Sequence, residues 1–142
     1  KVEKVHADHK ECPKGLGALL QQIHFAIIDH MEKEEHILFP NIIAGVQGEG
    51  SMMPLEMPIE MMFHEHIEHG EKLEQLFTIT HGRKLPADAC NSWQALYKGL
   101  EQLEADLMDN IHLENSVLFP RALDEDQSPE QGGCGCGHGG CH

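Results

Sequence analysis

The sequence predicts an all-α protein, an up-and-down four-helix bundle, and three observations predict it. Three long stretches repeat apolar residues at helical spacing: about Lys14 to Val46, near Pro54 to near Thr80, and Pro86 or Asp88 to about Leu123. Only short breaks separate them, GVQGEGS after the first and GRKLP after the second, so successive helices run antiparallel. Aromatic residues make up 5% of the 142 positions, and Pro and Gly gather in a few places, which argues against a β architecture.

Each element follows from its local pattern. Residues Lys1 to Lys10 are too few to form a stable helix alone and read as the last turns of a first helix. The chain starts at Lys1 rather than Met and shows no leader, so it is expected to be a fragment with that first helix largely missing. Asp88 is the expected cap of the last long helix. Beyond it, DEDQSPEQ is a charged linker and GGCGCGHGGCH is too Gly-rich to build a core. The expected division is a metal-binding domain over 1–124 and a flexible tail over 125–142.

Charge narrows the function. Ten Lys and Arg against 24 Asp and Glu leave a net charge of −14, which excludes a nucleic-acid module and disfavours an anionic membrane surface. No apolar run approaches the roughly 18 residues of a spanning helix. The five cysteines are odd in number and three crowd the last nine positions, which does not suit a disulfide framework and suggests a reducing, cytoplasmic setting. Twelve histidines beside 24 carboxylates put a metal protein first.

Counting about 100° per residue sorts these histidines by helix face. Leu16, Leu19, Leu20, Ile23, Ile27, Ile37 and Leu38 share one stripe, with His30 and Glu34 in its middle one turn apart. The second stripe is Leu55, Ile59, Met62, Phe63, Leu73 and Phe77, with His66 at its centre and His69 on its border. The third runs through Trp93, Leu96, Leu100, Leu103, Leu107, Ile111, Val117 and Leu118, and contains Asn110 and Glu114. His24, His36, His64, His81 and His112 are expected to face solvent. A single buried polar residue is ordinarily satisfied by hydrogen bonds. Ionisable groups converging from three stripes are better explained by a shared cation, because each alone is costly to desolvate.

An internal repeat points the same way. His30 to Pro40 reads HMEKEEHILFP and Asn110 to Pro120 reads NIHLENSVLFP, so Glu34 matches Glu114 and the two LFP segments align. Two such carboxylates facing each other across a bundle suit bridging of two ions. The second copy has Asn110 where the first has His30. His112 does not substitute for it, lying about 200° further round the helix.

These segments, together with KVEKVHAD, FHEHIEHGEKLEQL and LPADACNSWQALYKGLEQLEADLMDNIHLENSVLFPRAL, resemble the hemerythrin-like di-iron domain of the Repair of Iron Centres family over about Lys1 to Leu123. The resemblance implies two non-haem irons held by bridging glutamates and terminal histidines. It also implies restoration of iron–sulfur clusters damaged by nitric oxide or oxidants, with damaged iron–sulfur proteins as clients. By position, His30, Glu34, His66 and Glu114 match ligands, and His6 matches a histidine at the end of the family's first bundle helix. The first helix, with a further His ligand, would precede Lys1, and a small N-terminal domain with a Cys pair is missing. Asn110 stands where the family ligates through His. The inference is one ion position that keeps His30, His66 and the glutamates, and a second that is poor or empty, since an amide oxygen is a weaker ligand than imidazole.

Three helices without their fourth are expected to expose an apolar groove, which a second copy of the chain or further chain would cover. Cys134, Cys136, His138, Cys141 and His142 bring soft and borderline donors together in the tail, suited to Zn, Cu(I) or Ni or to passing iron on; the plainer reading is an end with adventitious affinity. Cys12 and Cys90 have no partner by spacing, and Met52, Met53, Met57, Met61 and Met62 suit packing better than metal binding. The expected function is iron donation or redox in cluster repair, acting as a donor rather than as an enzyme. The alternatives are an O₂- or NO-binding carrier or sensor, and a metal buffer.

Overall fold

The computed structural model describes residues 1–49 and 53–127, and among them every regular element is helical. A short helix, α1 (Val2–Val5), precedes α2 (Leu16–Lys33) and α3 (Phe39–Val46), which a π turn at Glu34–Leu38 joins into one rod. Next come α4 (Glu56–Ile79) and a 3₁₀ turn at His81–Arg83. The last rod is α5 (Asn91–Leu113) and α6 (Phe119–Gln127), joined by a second π turn at Glu114–Leu118. The tail candidates Cys134, Cys136, His138, Cys141 and His142 lie outside the described residues, as does Met52. No described helix is long and apolar enough to cross a membrane.

Side chains from distant parts of the sequence set where the helices start. Gly15 adopts φ 84° ahead of α2, a left-handed conformation that glycine enters without penalty. The Glu3 carboxylate then accepts the Gly15 and Gly17 N–H groups at 2.7 and 3.0 Å, so α1 caps α2. Leu55, at the head of α4, donates its N–H to Asp126 Oδ2 at 3.1 Å. At α5 the cap is Cys90, in extended backbone, and not the expected Asp88. Asp88 sits two residues earlier, outside the helix, and accepts from His9 Nε2 at 3.2 Å.

Two apolar clusters hold the rods together. One joins Leu16, Leu19 and Ile23 of α2 to Leu73 and Leu76 at the far end of α4 and to Trp93, Tyr97 and Leu100 of α5. The pairing of helix starts with a helix end makes α4 antiparallel to both α2 and α5. The other joins Leu38, Leu55, Ile59 and Met62 to Phe119 and Ala122. Each fully buried side chain of this size contributes about 1.5–3 kcal/mol.

Three apolar stripe residues fall outside the core. Ile37 is 45% exposed and Val117 40%, at equivalent positions of the repeat. A π turn advances less per residue than an α turn, so it rotates Leu38 and Phe119 inward and turns Ile37 and Val117 out. Phe77 is 48% exposed while its neighbour Leu76 is buried. Phe77 instead packs beside Gly82 and beneath the Arg83 guanidinium, 5.3 Å from its ring.

Candidate metal centre

Between the two apolar clusters the bundle has a polar waist. His30, Glu34, His66 and Glu114 are each about 5% exposed, and one donor atom from each lies within 4.8 Å of every other. The Nε2 atoms of His30 and His66 are 3.1 Å apart. Glu34 Oε1 stands 3.3 Å from His30 Nε2, and Glu114 Oε2 stands 3.0 Å from His66 Nε2. Donors bonded to one ion at about 2.1 Å are themselves about 3.0–3.4 Å apart, so this spacing suits a cation.

Groups behind the rings decide which nitrogens face inward. His30 donates its Nδ1–H to Glu65 Oε2 at 2.7 Å, and Glu65 is also bound by Lys33, which pairs with Asp29 at 2.7 Å. His66 donates its Nδ1–H to Asn115 Oδ1 at 2.7 Å and stacks on Phe119, its ring plane 9° from parallel. With the Nδ1–H of each ring committed outward, its Nε2 faces the other ring, the nitrogen that a neutral imidazole offers to a cation. Glu34 Oε1 and Glu114 Oε2 are buried and make no hydrogen bond, because their approaches to the rings lack hydrogen-bonding direction. A buried acceptor left in that state costs about 1–3 kcal/mol. Two imidazole nitrogens and two carboxylates therefore converge, a set that fits a cation with mixed nitrogen and oxygen ligation.

The electrostatics reflect the same shortage of positive charge. Burial and the neighbouring Glu114 carboxylate push the Glu34 carboxyl above its ordinary value. Burial acts on Glu114 in the same sense, but the His66 ring and the contact with Glu34 outweigh it and leave that carboxyl low. Burial opposes a charge on His30, yet Glu34 and Glu65 overcome it and raise its affinity for a proton. Glu65 is kept low, since Lys33 and His30 outweigh its own burial.

The π turns place the carboxylates. Glu34 and Glu114 each open one, and Pro40 and Pro120 follow at the same distance. Proline has no N–H to continue an α-helical ladder, so the widened turn ahead of it absorbs the mismatch.

The other sequence candidates are placed differently. Asn110 is exposed and donates from Nδ2 to Glu114 Oε1 at 3.1 Å, on the wall of the site and not within the group of four. His6 is not brought to the group either. The turn after α1 lays its ring 4.8 Å from the Trp93 ring, with Nε2 3.2 Å from Cys90 Sγ, in the cluster at the start of α5. His24, His36, His64, His81 and His112 face solvent as expected. His69, read only as a border residue, is 5% exposed, and its Nδ1 has no hydrogen-bond partner. Burial holds its ring below the ordinary imidazole value. Face counting also passed over Glu65 and Asn115. The matched Glu-to-Pro spacing of the repeat was the available signal for the turns, and the cation Lys33 one residue before Glu34 was the available signal for an acidic partner such as Glu65.

A cavity of about 460 Å³ opens onto the waist from the side between α2 and α5. His30, Glu34, His66, His69, Asn110 and Glu114 line it, beside the apolar side chains of Ile27, Leu103 and Leu107.

Residues 1–122 match the hemerythrin HHE cation-binding domain. The iron–sulfur cluster repair protein YtfE of Musicola paradisiaca (strain Ech703) is 50% identical over 123 residues, 87% of this chain and 53% of that protein. The protein of the same name from Escherichia coli O9:H4 (strain HS) is 50% identical over 123 residues, 87% of this chain and 54% of its own length. A probable iron–sulfur cluster repair protein of Haemophilus influenzae is 46% identical over 125 residues, 88% of this chain and 54% of that one. The chain thus spans about half the length of the curated relatives it matches. With a helical bundle, a buried His/Glu waist and a match running from residue 1 to residue 122, the chain belongs to the hemerythrin HHE cation-binding domain family.

Proposed function

We propose that this chain is the iron-binding bundle of an iron–sulfur cluster repair protein, with His30, Glu34, His66 and Glu114 as its ligands. The observation that carries the reading is the convergence of two imidazole nitrogens and two unpaired carboxylate oxygens in a buried waist. Iron bound there supplies a labile or redox-active ion for iron–sulfur proteins damaged by nitric oxide or oxidants, in the cytoplasm. The chain's own part is to hold that site ready. Glu65 and Asn115 fix the imidazole tautomers, Phe119 fixes the plane of His66, and the cavity beside Asn110 gives the entry side. The names of the relatives support repair over a gas-carrying role. The chain acts as a donor and not as a turnover catalyst.

The test is anaerobic titration of the full chain with Fe(II), beside Glu34→Gln, Glu114→Gln and the double variant. At least one iron per chain is expected in the parent, with affinity falling more than about 100-fold in either single variant, beyond the effect of losing an outer-shell partner. The iron-loaded parent should also restore a nitric-oxide-damaged [4Fe–4S] protein, and the double variant should not. Equal iron affinity in the parent and the double variant overturns the reading.

A further inference from the structure

We propose that His69 is an additional imidazole ligand of the metal centre, serving a cation position beside the first and supplying the nitrogen that Asn110 does not. This rests on the reading of the waist as a metal site. The internal repeat puts Asn110 in the position of His30, so the second copy brings a carboxylate without an imidazole. His69 lies on α4 one turn beyond His66, with its ring 5.1 Å from that of His30 and 6.4 Å from that of His66. It is 5% exposed, yet its Nδ1 has no hydrogen-bond partner.

The surroundings give that nitrogen a direction of use. His69 lines the same cavity as Glu34, Asn110 and Glu114, whose remaining walls include Ile27, Leu103 and Leu107. A buried ring nitrogen without a partner, in a cavity that two carboxylates also line, is a free ligand in a place where a cation would be neutralised. His69 does not join the group of four, whose donor atoms all lie within 4.8 Å of one another. Its nitrogen is therefore free to serve an adjoining ion from the cavity wall. A packing histidine, held by its ring contacts with His30 and His66 and by a backbone hydrogen bond at Ala26, is the alternative that the experiment must separate.

The experiment titrates the full chain anaerobically with Fe(II) and counts bound ions in the parent, His69→Gln, and His69→Gln combined with Asn110→His. The expected result is the loss of one ion per chain, or at least tenfold weaker binding of it, in His69→Gln, with recovery when Asn110→His returns an imidazole to the repeat position. Circular dichroism checks that each variant keeps its helix content. A second measurement needs no variant: the parent labelled with ¹⁵N at histidine is titrated with Zn(II), and the His69 ring nitrogens should shift with those of His30 and His66. Unchanged ion count and affinity in a folded His69→Gln, or a His69 ring that stays unshifted while His30 and His66 move, overturns the inference alone. If His30, His66 and His69 all stay unshifted, and iron affinity is the same in the parent and in the Glu34→Gln, Glu114→Gln double variant, the metal reading falls and takes this inference with it.

Discussion

In residues 30–40 the turn ahead of the π segment carries His30, buried at 5% exposure and backed by Glu65. In residues 110–120 the same position carries Asn110, exposed to solvent and turned onto Glu114. The backbone device is otherwise repeated position for position: Glu opens the π turn, Leu and Phe follow, and Pro lies six residues after the Glu. The difference teaches that geometry and donor chemistry are separable here. Both copies deliver a carboxylate to the waist, and only the first delivers an imidazole. The imidazole opposite comes from α4, where His66 is oriented by Asn115 of the second copy. The second copy thus contributes a supporting amide where the first contributes a ligand.

The largest difference expected between the copies is in packing. Phe119 is fully buried, stacked on His66 and edge-on to Phe63, whereas its counterpart Phe39 is half-buried at the cavity wall. Phe119→Ala should cost about 3–5 kcal/mol and Phe39→Ala less than about half of that. Urea unfolding at neutral pH checks it, and equal losses would break the comparison.

Next comes the support behind the two rings. Glu65→Gln removes the charged acceptor behind His30, and Asn115→Ala removes the neutral one behind His66. Each should weaken metal binding by about 10- to 100-fold, with the charged partner at the upper end. Competition against a chelator measures both. An Asn115→Ala loss as large as that of Glu65→Gln would show that ring orientation matters and the charge behind it does not.

The smallest effect concerns how the two rods begin. Glu3 caps α2, while α5 starts without a side-chain cap. The Gly17 and Gly15 N–H groups hold the Glu3 carboxyl below its ordinary value. A carboxyl depressed in the folded state contributes stability above its unfolded value and loses it as pH falls through the folded value. Glu3→Gln should therefore flatten the acid limb of the melting-temperature profile and leave iron binding untouched. An acid limb as steep in Glu3→Gln as in the parent would remove the cap from the account.

The sequence by itself determined the helical class, the three rods, the repeat, and the four residues that meet at the waist. It did so because a helix presents every third or fourth residue on one face, so ionisable groups in the middle of an apolar stripe are carried inside; Asn110, on the same stripe, stayed exposed. His30 with Glu34, His66 and Glu114 were legible for that reason. Only the tertiary structure decided the rest. The π turns put Ile37 and Val117 outside and Phe119 inside, which an unbroken 100° count cannot anticipate. Glu65, Asn115 and the cap at Glu3 act across separations of 35, 49 and 12–14 residues. His69 became a buried ring rather than a border residue, and His6 went to Trp93 rather than to the waist. Periodicity sets the face of a residue on its own helix, but burial and hydrogen bonding depend on how neighbouring helices are rotated and spaced, and no local pattern encodes that.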